Sequence, residues 1–295
     1  MAAEKTPRRD LSATAQAAQS ALASCERAPG ARKPDPILVA SGIRRAFGGI
    51  VAVDVDHLEV QRGSITALIG PNGAGKTTLF NLLTGFDSPD SGNWSFDGRP
   101  MEKVQPHRTA SLGMVRTFQL TKSLTKLSVI ENMRLGAMNQ IGEKWWNGLF
   151  SFRWKDQEQQ ITERAEELLT RFKLDHMRDE FAGSLSGGQR KLLEMARALM
   201  TNPKLVMLDE PMAGVNPALK QSLNEHIRGL RDDGMTVLFV EHDMDMVHDI
   251  SDWVIVMAEG RVIAEGTPDD ISRNPAVIDA YLGAHQGQSL MAEEK

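Results

Sequence analysis

Gly70-Pro-Asn-Gly-Ala-Gly-Lys-Thr-Thr78 is the most informative stretch of this chain of 295 residues. The stretch follows the compact apolar run Ile65 to Ile69 and opens a helix-like segment that reaches Leu83. Glycines at this spacing let backbone N–H groups converge on phosphates at the N-terminus of a helix. Because a strand before the loop and a helix after it are both indicated, the pattern predicts a phosphate-binding loop.

This loop carries most of the predicted nucleotide contacts. Lys76 is expected to reach the β- and γ-phosphates, and the Thr77 hydroxyl is expected to ligate Mg²⁺. The expected ligands are therefore ATP and Mg²⁺. The predicted ATP-binding residues of the loop are Gly70, Pro71, Asn72, Gly73, Ala74, Gly75, Lys76, Thr77 and Thr78.

An acidic pair, Asp209-Glu210, ends the later apolar run Leu-Val-Met-Leu. A phosphate-loop ATPase needs a carboxylate at the end of a neighbouring strand to hold the metal, so Asp209 is the predicted metal partner. Glu210 follows directly, where its carboxylate can polarise an attacking water as a general base. Alone, such a pair is as readily a solvated strand end. The phosphate loop favours the functional interpretation.

Short apolar runs on both sides of the loop predict an α/β fold. In the second half they alternate with helical or turn-forming sequence, a pattern typical of a parallel sheet covered on both faces. Early strands are predicted at Ile37–Val39, Val51–Val53 and Leu58–Val60. Later strands are predicted at Leu205–Leu208, Thr236–Val240 and Val254–Met257.

Two hairpins and one helical insert complete the predicted elements. Asp97-Gly98 is predicted to form a hairpin turn, and Met257 to Gly266 an antiparallel hairpin with Gly260 in its turn. From Leu127 to Leu174 the apolar residues recur at three- and four-residue spacing, which indicates helices. The residues at that spacing are Ile161, Ala165, Leu168, Leu169 and Phe172.

Both ends of the chain are predicted to lie outside the folded domain. Residues 1–36 are rich in Ala, Ser and Arg and lack aromatic residues, so they are expected to form a disordered extension. A targeting peptide is the alternative, although Glu4, Asp10 and Glu26 are unusual in such acid-poor segments. Residues 286–295 are expected to form a flexible tail.

Composition excludes several classes of function. The net charge of −5 is spread over both halves, so no basic field that would attract nucleic acid is present. No window holds 18 consecutive apolar residues, so other subunits would have to supply a membrane pore. The single cysteine, Cys25, has no disulfide partner in the chain, which fits a reducing compartment but fits any other compartment as well.

Leu185-Ser-Gly-Gly-Gln189 opens a predicted helix that runs through Lys191 to Met200. Its serine and glycines leave backbone donors at a helix N-terminus, which suits a γ-phosphate. With this motif the sequence resembles the ABC ATPase family from about Leu38 to Gly283. The resemblance implies a P-loop NTPase (RecA-like) core with a mainly parallel sheet, an antiparallel β subdomain and an ABC-type helical subdomain. It places the domain at 37–285 and the helical subdomain at about 127–190.

The resemblance also implies roles for three isolated residues. Phe47 matches the aromatic residue that stacks on adenine, Gln119 matches the glutamine that senses Mg²⁺ and the γ-phosphate, and His242 matches the switch histidine that contacts the γ-phosphate. Each match is weak singly, since a lone Phe is commonly a core residue and a lone His a satisfied surface or core residue.

In that family, two cassettes face each other head to tail. The phosphate loop of one cassette and the signature residues of the other, here Leu185, Ser186, Gly187, Gly188 and Gln189, enclose each ATP. The resemblance therefore implies a second ATPase subunit, identical or different. It also implies two membrane permeases and an attachment through them to the cytoplasmic face of the inner membrane.

Linking segments resemble those of the branched-chain amino-acid uptake ATPases. They are Glu210-Pro-Met-Ala-Gly-Val-Asn-Pro217, Val240-Glu-His-Asp-Met244 and the ending from Gly266 to Gly283. That family also implies an extracytoplasmic substrate-binding protein. The ATPases of urea or amide import and of lipopolysaccharide export are close alternatives, and a soluble ABC ATPase of DNA repair or ribosomes is a more distant one. A non-hydrolysing regulatory cassette is disfavoured because Glu210, His242 and the signature are intact.

Two features have no fixed interpretation. Asn216 stands where many members of the family carry an aspartate at the dimer interface, and it predicts changed coupling with hydrolysis retained. The insert between Met138 and Asp156 is rich in aromatic residues, which predicts packing within the helical subdomain or, alternatively, a contact with the permease. Its aromatic residues are Trp145, Trp146, Phe150, Phe152 and Trp154.

Overall fold

The computed structural model describes residues 11–101, 104–117, 125–138 and 155–282. The chain divides into two compact units. The first unit contains Met1–Pro106, Leu208–Glu210 and Ile227–Lys295, and the second contains His107–Met207 and Pro211–His226.

The first unit contains an antiparallel sheet of four strands in the order β2-β1-β4-β5. The strands are β1 (Pro36–Phe47), β2 (Ile50–Gln61), β4 (Ser91–Phe96) and β5 (Arg99–Pro100). Two runs predicted as separate strands form the single strand β2. The predicted hairpin turn is confirmed, because Asp97 and Gly98 link β4 to β5 with φ angles of 51° and 73°.

A second, mainly parallel sheet carries the core of the first unit. Its strands there are β3 (Ile65–Ile69), β8 (Thr236–Val240), β9 (Trp253–Ala258) and β10 (Arg261–Gly266). β3 pairs in parallel with both β8 and β9, while β10 pairs antiparallel with β9. Every residue of β3 and β8 is buried, as expected of a parallel sheet covered on both faces. These strands match the predicted runs closely.

Besides its N-terminal segment, the described part of the first unit includes four helices that lie entirely within it. They are α2 (Lys76–Leu83), α8 (Met244–Ile250), α9 (Pro268–Ser272) and α10 (residues 275–282). α2 begins directly after the glycine-rich loop and buries Leu79, Phe80, Leu82 and Leu83. The loop is therefore held between a buried strand and a buried helix, as predicted.

The second unit is mostly helical. It contains α3 (Pro106–Ser111, apart from its first residue), β6 (Met114–Arg116), α4 (Val129–Arg134), α5 (Lys155–Arg171) and α6 (Gly187–Ala198). The start of β7 (Leu205–Asp209) pairs in parallel with β6, and the first part of α7 (Pro217–Asp232) also lies here. The unit is thus broader than the predicted subdomain at 127–190.

The apolar stripe predicted for the helical insert lines the interior of this unit. Ala165, Leu168, Leu169 and Phe172 are at most 1% exposed. The Phe172 ring stacks on the His226 ring with a centroid distance of 4.5 Å. Burial lowers the pKa of His226, helped by the nearby positive charges of Arg171 and Lys173. A neutral imidazole is therefore favoured at this packing contact.

The N-terminal segment corrects one prediction. Residues 1–36 are expected from sequence to be disordered, but Leu11–Ala23 form helix α1 in the structure. Ala15, Ala18 and Leu22, at helical spacing, are all at most 6% exposed. A β-carbon at Gly63 would lie 3.1 Å from Thr14 Cγ2, so the small residues of α1 approach the backbone closely. Low hydrophobicity suggested disorder, yet small side chains allow a close fit that needs little apolar area.

Several sequence predictions concern residues outside the described ranges. They are residues 1–10 of the extension, Gln119, the tail at 286–295, and the aromatic insert with Trp145, Trp146, Phe150, Phe152 and Trp154. Within the ranges that the structure describes, none of the helices has the length and apolar character needed to cross a membrane.

Candidate functional site

The glycine-rich loop of the first unit is enclosed by two β elements. A β-carbon at Gly70 (φ 148°) would lie 2.0 Å from the Met257 carbonyl oxygen, at the end of β9. One at Gly75 (φ 97°) would lie 2.3 Å from the Ala52 carbonyl oxygen, on β2. Only glycine fits positions where backbone approaches so closely and φ is positive. The loop is therefore rigidly placed by its neighbours.

Hydrogen bonds connect the same three segments. The Gly260 N–H donates to the Ala74 carbonyl (3.1 Å), and the Gly260 carbonyl accepts from the Asp54 N–H (2.8 Å). Gly260 lies in the turn of the β9–β10 hairpin, which confirms the predicted antiparallel hairpin. This turn thus joins β2 to the phosphate loop.

Lys76 is buried at the start of α2, with 6% of its surface exposed. Its Nζ donates to the carbonyls of Gly70 (2.6 Å) and Pro71 (2.9 Å). Burial lowers the pKa of Lys76, while the charges of Glu210 and Asp209 oppose that shift. The ammonium group is therefore held over the loop by two carbonyls of the loop itself.

Glu210 follows the last residue of β7 in a strained backbone conformation. Its φ angle is 47°, in the left-handed region that non-glycine residues rarely adopt. The Glu210 N–H donates to the Val240 carbonyl (3.0 Å), at the end of β8. Such strain costs energy, of order 1–3 kcal/mol, and concentrates at functional sites. This strained turn aims the carboxylate at the loop side of the sheet.

His242 lies against this glutamate. Its Nε2 is 3.1 Å from Glu210 Oε1, and both side chains are about two-fifths exposed. The His242 N–H also donates to the Glu241 carboxylate (3.0 Å). The His242 imidazole and the Glu210 carboxylate are therefore paired just beyond the C-terminal ends of β7 and β8.

The loop and this pair line a common cleft of about 210 Å³. The C-terminal ends of parallel strands meet there, which is the usual location of ligand sites in open α/β sheets. Its lining residues are Ala52, Asn72, Gly73, Ala74, Gly75, Lys76, Thr77, Thr78, Glu210 and His242. Most of the predicted phosphate-loop residues and both predicted catalytic residues are thus brought together.

Asp209 and Phe47 are not among the lining residues of this cleft. Asp209 is the last residue of β7, and its charge still acts on the Lys76 ammonium. Phe47 ends β1 with 48% of its surface exposed, and the Arg45 guanidinium lies 4.7 Å from the centre of its ring.

The predicted signature residues lie in the second unit, where they begin helix α6. Ser186 caps the helix, since its hydroxyl accepts from the Gln189 N–H (3.2 Å). The Gln189 side chain accepts in return from the Ser186 N–H (2.9 Å), which completes a capping box. Leu185 is only 3% exposed and anchors the turn. The N–H groups of Gly187 and Gly188 occupy the first turn, where no intrahelical acceptor is available.

Three neighbours of the phosphate loop, Ala52, Met257 and Gly260, were not predicted as such from the sequence. All three approach the loop through backbone atoms, so their side chains carry no signal of the contact. Gly260 was predicted only as a hairpin turn residue, and nothing in its spacing indicated the phosphate loop as its partner. These contacts depend on how β2 and β9 pack, which a local pattern does not specify.

A buried strand, a glycine-rich loop with its lysine, and a glutamate directly after the end of β7 define a P-loop nucleotide hydrolase. Residues 53–213 match the family described as "ABC transporter", and residues 261–286 match "Branched-chain amino acid ATP-binding cassette transporter". The chain belongs to the ABC transporter family.

Curated relatives support the same assignment. The "Probable branched-chain amino acid transport ATP-binding protein LivG" of Archaeoglobus fulgidus is 44% identical over 252 residues, covering 85% of this chain and 97% of that protein. The "High-affinity branched-chain amino acid transport ATP-binding protein BraF" of Pseudomonas aeruginosa is 40% identical over 84% of this chain and 98% of its own length.

Solved structures agree with the fold. A nucleotide-free ATP-binding cassette from an ABC transporter aligns with a TM-score of 0.74 and 39% identity, over 83% of this chain and 98% of that one. The ADP conformation of an ATP-binding cassette aligns at 0.73 and 38%, over 84% and 99%. The predicted P-loop α/β fold is thereby confirmed. The chain is a nucleotide-binding, ATP-hydrolysing subunit of a transport complex, a class that acts in pairs on membrane permeases.

Proposed function

We propose that this chain hydrolyses ATP to power the import of branched-chain amino acids. The observation that carries the proposal is the match of residues 261–286 to the C-terminal segment of that transporter group. The names of the two relatives point to the same substrate class. Substrate choice would reside in permeases and an extracytoplasmic binding protein. This subunit would work at the cytoplasmic face of the membrane.

The phosphate chain of ATP would lie along the glycine-rich loop. The loop N–H groups and the N-terminus of α2 offer donors and a positive dipole end to the β- and γ-phosphates. Lys76, now donating to Gly70 and Pro71, would exchange these carbonyls for phosphate oxygens. The partly desolvated ammonium would gain a stronger partner in that exchange. Adenine would stack on the exposed ring of Phe47, opposite the face covered by Arg45.

The residues present fit a magnesium ion. Mg²⁺ is commonly held by one or two protein oxygens together with phosphates and waters, not by a full protein cage. In keeping with this, the described residues contain no cluster of three or more His, Cys, Asp or Glu side chains suited to a metal. Thr77 and Asp209 would hold the ion, and Gln119 would join them. When bound, Mg²⁺ neutralises charge on the phosphates.

Glu210 would orient and deprotonate the attacking water. A carboxylate within hydrogen-bond reach of a water contributes typically 10²- to 10⁴-fold as a general base. His242 holds the Glu210 carboxylate at 3.1 Å and would also face the γ-phosphate. The strained turn at Glu210 fixes this direction before ATP arrives, so little reorganisation would be needed.

A partner cassette would complete the binding site for the γ-phosphate. Gly187 and Gly188, at the start of α6, offer first-turn N–H groups suited to an anion, and Ser186 adds its hydroxyl. These residues would act in trans on the ATP bound by the second ATPase subunit. Closure on ATP and opening after hydrolysis would then drive the permeases, because ATP binds the closed state more tightly.

Uptake of labelled leucine tests the substrate assignment. A strain lacking this protein should recover leucine uptake with the wild type but not with Lys76→Ala, because the ammonium group that binds the β- and γ-phosphates is lost. Initial rates are compared at matched protein levels, with labelled urea as a parallel substrate. Equal leucine uptake in all strains, with urea uptake restored by the wild type, would overturn the assignment.

The second unit contains a cavity that we propose as the docking site of a permease segment. The cavity of about 340 Å³ is lined largely by apolar surface around the charged Glu194 and Arg197. Burial lowers the pKa of Arg197, and Glu194 opposes that shift. We assign this cavity to a cytoplasmic segment of the permease. That segment would insert an apolar side chain into the cavity and place polar residues at the cavity rim. Its lining residues are His107, Ala110, Val115, Arg116, Thr117, Gly136, Met138, Glu194, Arg197, Ala198 and Thr201.

Filling this cavity should separate assembly from hydrolysis. Ala110→Trp, on α3, is expected to reduce permease copurification by at least tenfold while the isolated subunit keeps its ATPase rate. Ser111→Trp is the matched control, because Ser111 is exposed and does not line the cavity. Equal permease recovery with both variants would show that the permease docks elsewhere.

A further inference from the structure

The two signature glycines have different surroundings within the second unit. A β-carbon built on Gly187 would meet no atom within 4 Å. A β-carbon on Gly188 would lie 1.7 Å from Leu219 Cδ2, 3.2 Å from its Cγ and 3.8 Å from its Cβ. The Leu219 side chain therefore occupies the space beside the Gly188 Cα. Gly187 leaves the corresponding space open.

Leu219 is itself fixed by a helix cap. It lies in the first turn of α7, where its N–H is 2.9 Å from Asn216 Oδ1 and 3.1 Å from the Asn216 carbonyl. The same carbonyl accepts from the Lys220 N–H (3.1 Å). Asn216 thus acts as an N-cap, a role in which Asn and Asp are equally favoured. This local role explains why an amide can replace the aspartate that many members of the family carry at this position.

The loop that delivers this cap starts directly after Glu210. Within it, Val215 is 9% exposed and its N–H donates to the Met212 carbonyl (3.1 Å). Gly214 takes a positive φ of 71°, which allows the chain to turn towards the cap. The loop is anchored on its apolar side, so the start of α7 has a defined position in the second unit.

We infer that Leu219 is a positioning residue for the signature turn. Its isobutyl group packs on Gly188 and sets the direction of the first-turn N–H groups of α6. A side chain at position 188 would have to displace the Leu219 side chain, independently of any contact with nucleotide. The inference deepens the proposed function, since it rests on the signature acting on the γ-phosphate in a partner cassette.

Small displacements of such donors have large effects on rate. Hydrogen-bond donors that stabilise developing charge must point at a defined position, and misplacement by about 1 Å can cost 10²-fold. Leu219 would affect catalysis only through Gly188. Its loss should therefore lower kcat while ATP binding to the isolated subunit, which uses the loop of the first unit, stays unchanged.

A double-variant experiment tests this inference on the full chain. Leu219→Ala is expected to lower kcat about tenfold and Gly188→Ala about 10²-fold, with unchanged ATP affinity. Combining them should restore turnover to at least the level of Leu219→Ala, because the removed isobutyl group leaves room for the new methyl group. Leu219→Met keeps most of the volume and should retain at least half of the wild-type kcat.

Gly187→Ala provides the matched glycine control. No neighbour contacts its missing β-carbon, so Leu219→Ala should not rescue it and the two losses should add. Failure of Leu219→Ala to rescue Gly188→Ala would overturn the inference and assign the glycine to the nucleotide alone. Wild-type rates in Gly188→Ala would overturn it too. Failure of leucine uptake by the wild type would instead overturn only the transport proposal, since these rates are measured on ATP.

Discussion

Replacing Glu210 with Gln is expected to lower steady-state ATP hydrolysis by 10²- to 10³-fold. Glutamine keeps the shape of the side chain and a hydrogen bond to His242 Nε2, now 3.1 Å from the carboxylate. It loses the basicity that general-base catalysis requires, and that contribution is typically 10²- to 10⁴-fold. Phosphate release from purified protein measures the effect. ATP affinity should be unchanged, because the phosphate loop and Lys76 are intact.

Glu259→Gln is the matched control for this prediction. Glu259 also has a positive φ, 50°, and is exposed, but it does not line the phosphate cleft. It should hydrolyse ATP at the wild-type rate. Slow hydrolysis also predicts that Glu210→Gln accumulates as an ATP-bound pair of cassettes, visible by size-exclusion chromatography. Turnover above one tenth of the wild-type rate in Glu210→Gln would place the base elsewhere.

The phosphate loop was predictable because its determinants are local. The predicted bounds of β3 and α2, Ile65–Ile69 and Lys76–Leu83, are those of the structure. A fully apolar run, a glycine-rich loop and a helical pattern follow one another within twenty residues, so no long-range contact is needed to recognise them. The acidic pair and the signature helix were found for the same reason.

The surroundings of the loop were not predictable, because they depend on pairing between distant segments. The carbonyls of Ala52 and Met257 limit Gly75 and Gly70, yet any residue could provide a carbonyl. The contact of Leu219 with Gly188 also joins two segments that no spacing rule connects. Glycine patterns therefore indicate that a close approach exists without showing which segment approaches.

The N-terminal segment shows the opposite failure, in which composition was misleading. Alanine-rich sequence with few large apolar residues usually indicates disorder. Here Ala15 and Ala18 pack closely, and the Gln19 side chain donates to Asp252 (2.7 Å). The chain after α1 then buries a charged side chain in the interior. Neither kind of contact involves large hydrophobic residues, so the sequence pattern predicted the domain boundary at residue 36.

Glu265→Gln is expected to lower the free energy of unfolding by about 3–5 kcal/mol, the usual cost of breaking a buried ion pair. Glu265 and Lys33 are 3% and 6% exposed, and Lys33 Nζ lies 2.7 Å from Glu265 Oε2. The ammonium also donates to the Ala31 carbonyl (2.7 Å) and lies 4.7 Å from the centre of the Trp253 ring.

Both oxygens of Glu265 are used, which is why an amide is a poor substitute. Oε1 accepts from the Ala31 N–H (2.7 Å), and Oε2 accepts from both Lys33 Nζ and Trp253 Nε1 (2.8 Å). A glutamine has one acceptor oxygen and one NH₂ group, so donors would face each other on one side. The Lys33 ammonium would also be left buried without its counter-charge. Unfolding in urea, followed by tryptophan fluorescence, measures the loss.

Two variants separate this explanation from a general effect of losing a charge. Asp269→Asn removes the acid of an exposed pair, 3.1 Å from His248, and should cost less than about 1 kcal/mol. Adding Lys33→Met to Glu265→Gln should recover part of the loss, because the unpaired ammonium disappears. A loss below 1 kcal/mol in Glu265→Gln would show that the cluster does not stabilise the fold.

The same cluster should leave nucleotide binding unaffected in molecules that remain folded. Trp253 begins β9 and pairs with Thr66 near the start of β3, whereas the phosphate loop follows Ile69 at the other end of that strand. The ion pair and the ATP cleft therefore lie at opposite ends of the strands of the parallel sheet. Folded Glu265→Gln should bind ATP with wild-type affinity below its unfolding transition, while Lys76→Ala should lose binding and keep its stability. This reciprocal result would show that the N-terminal segment stabilises the ATPase core without contributing to its chemistry.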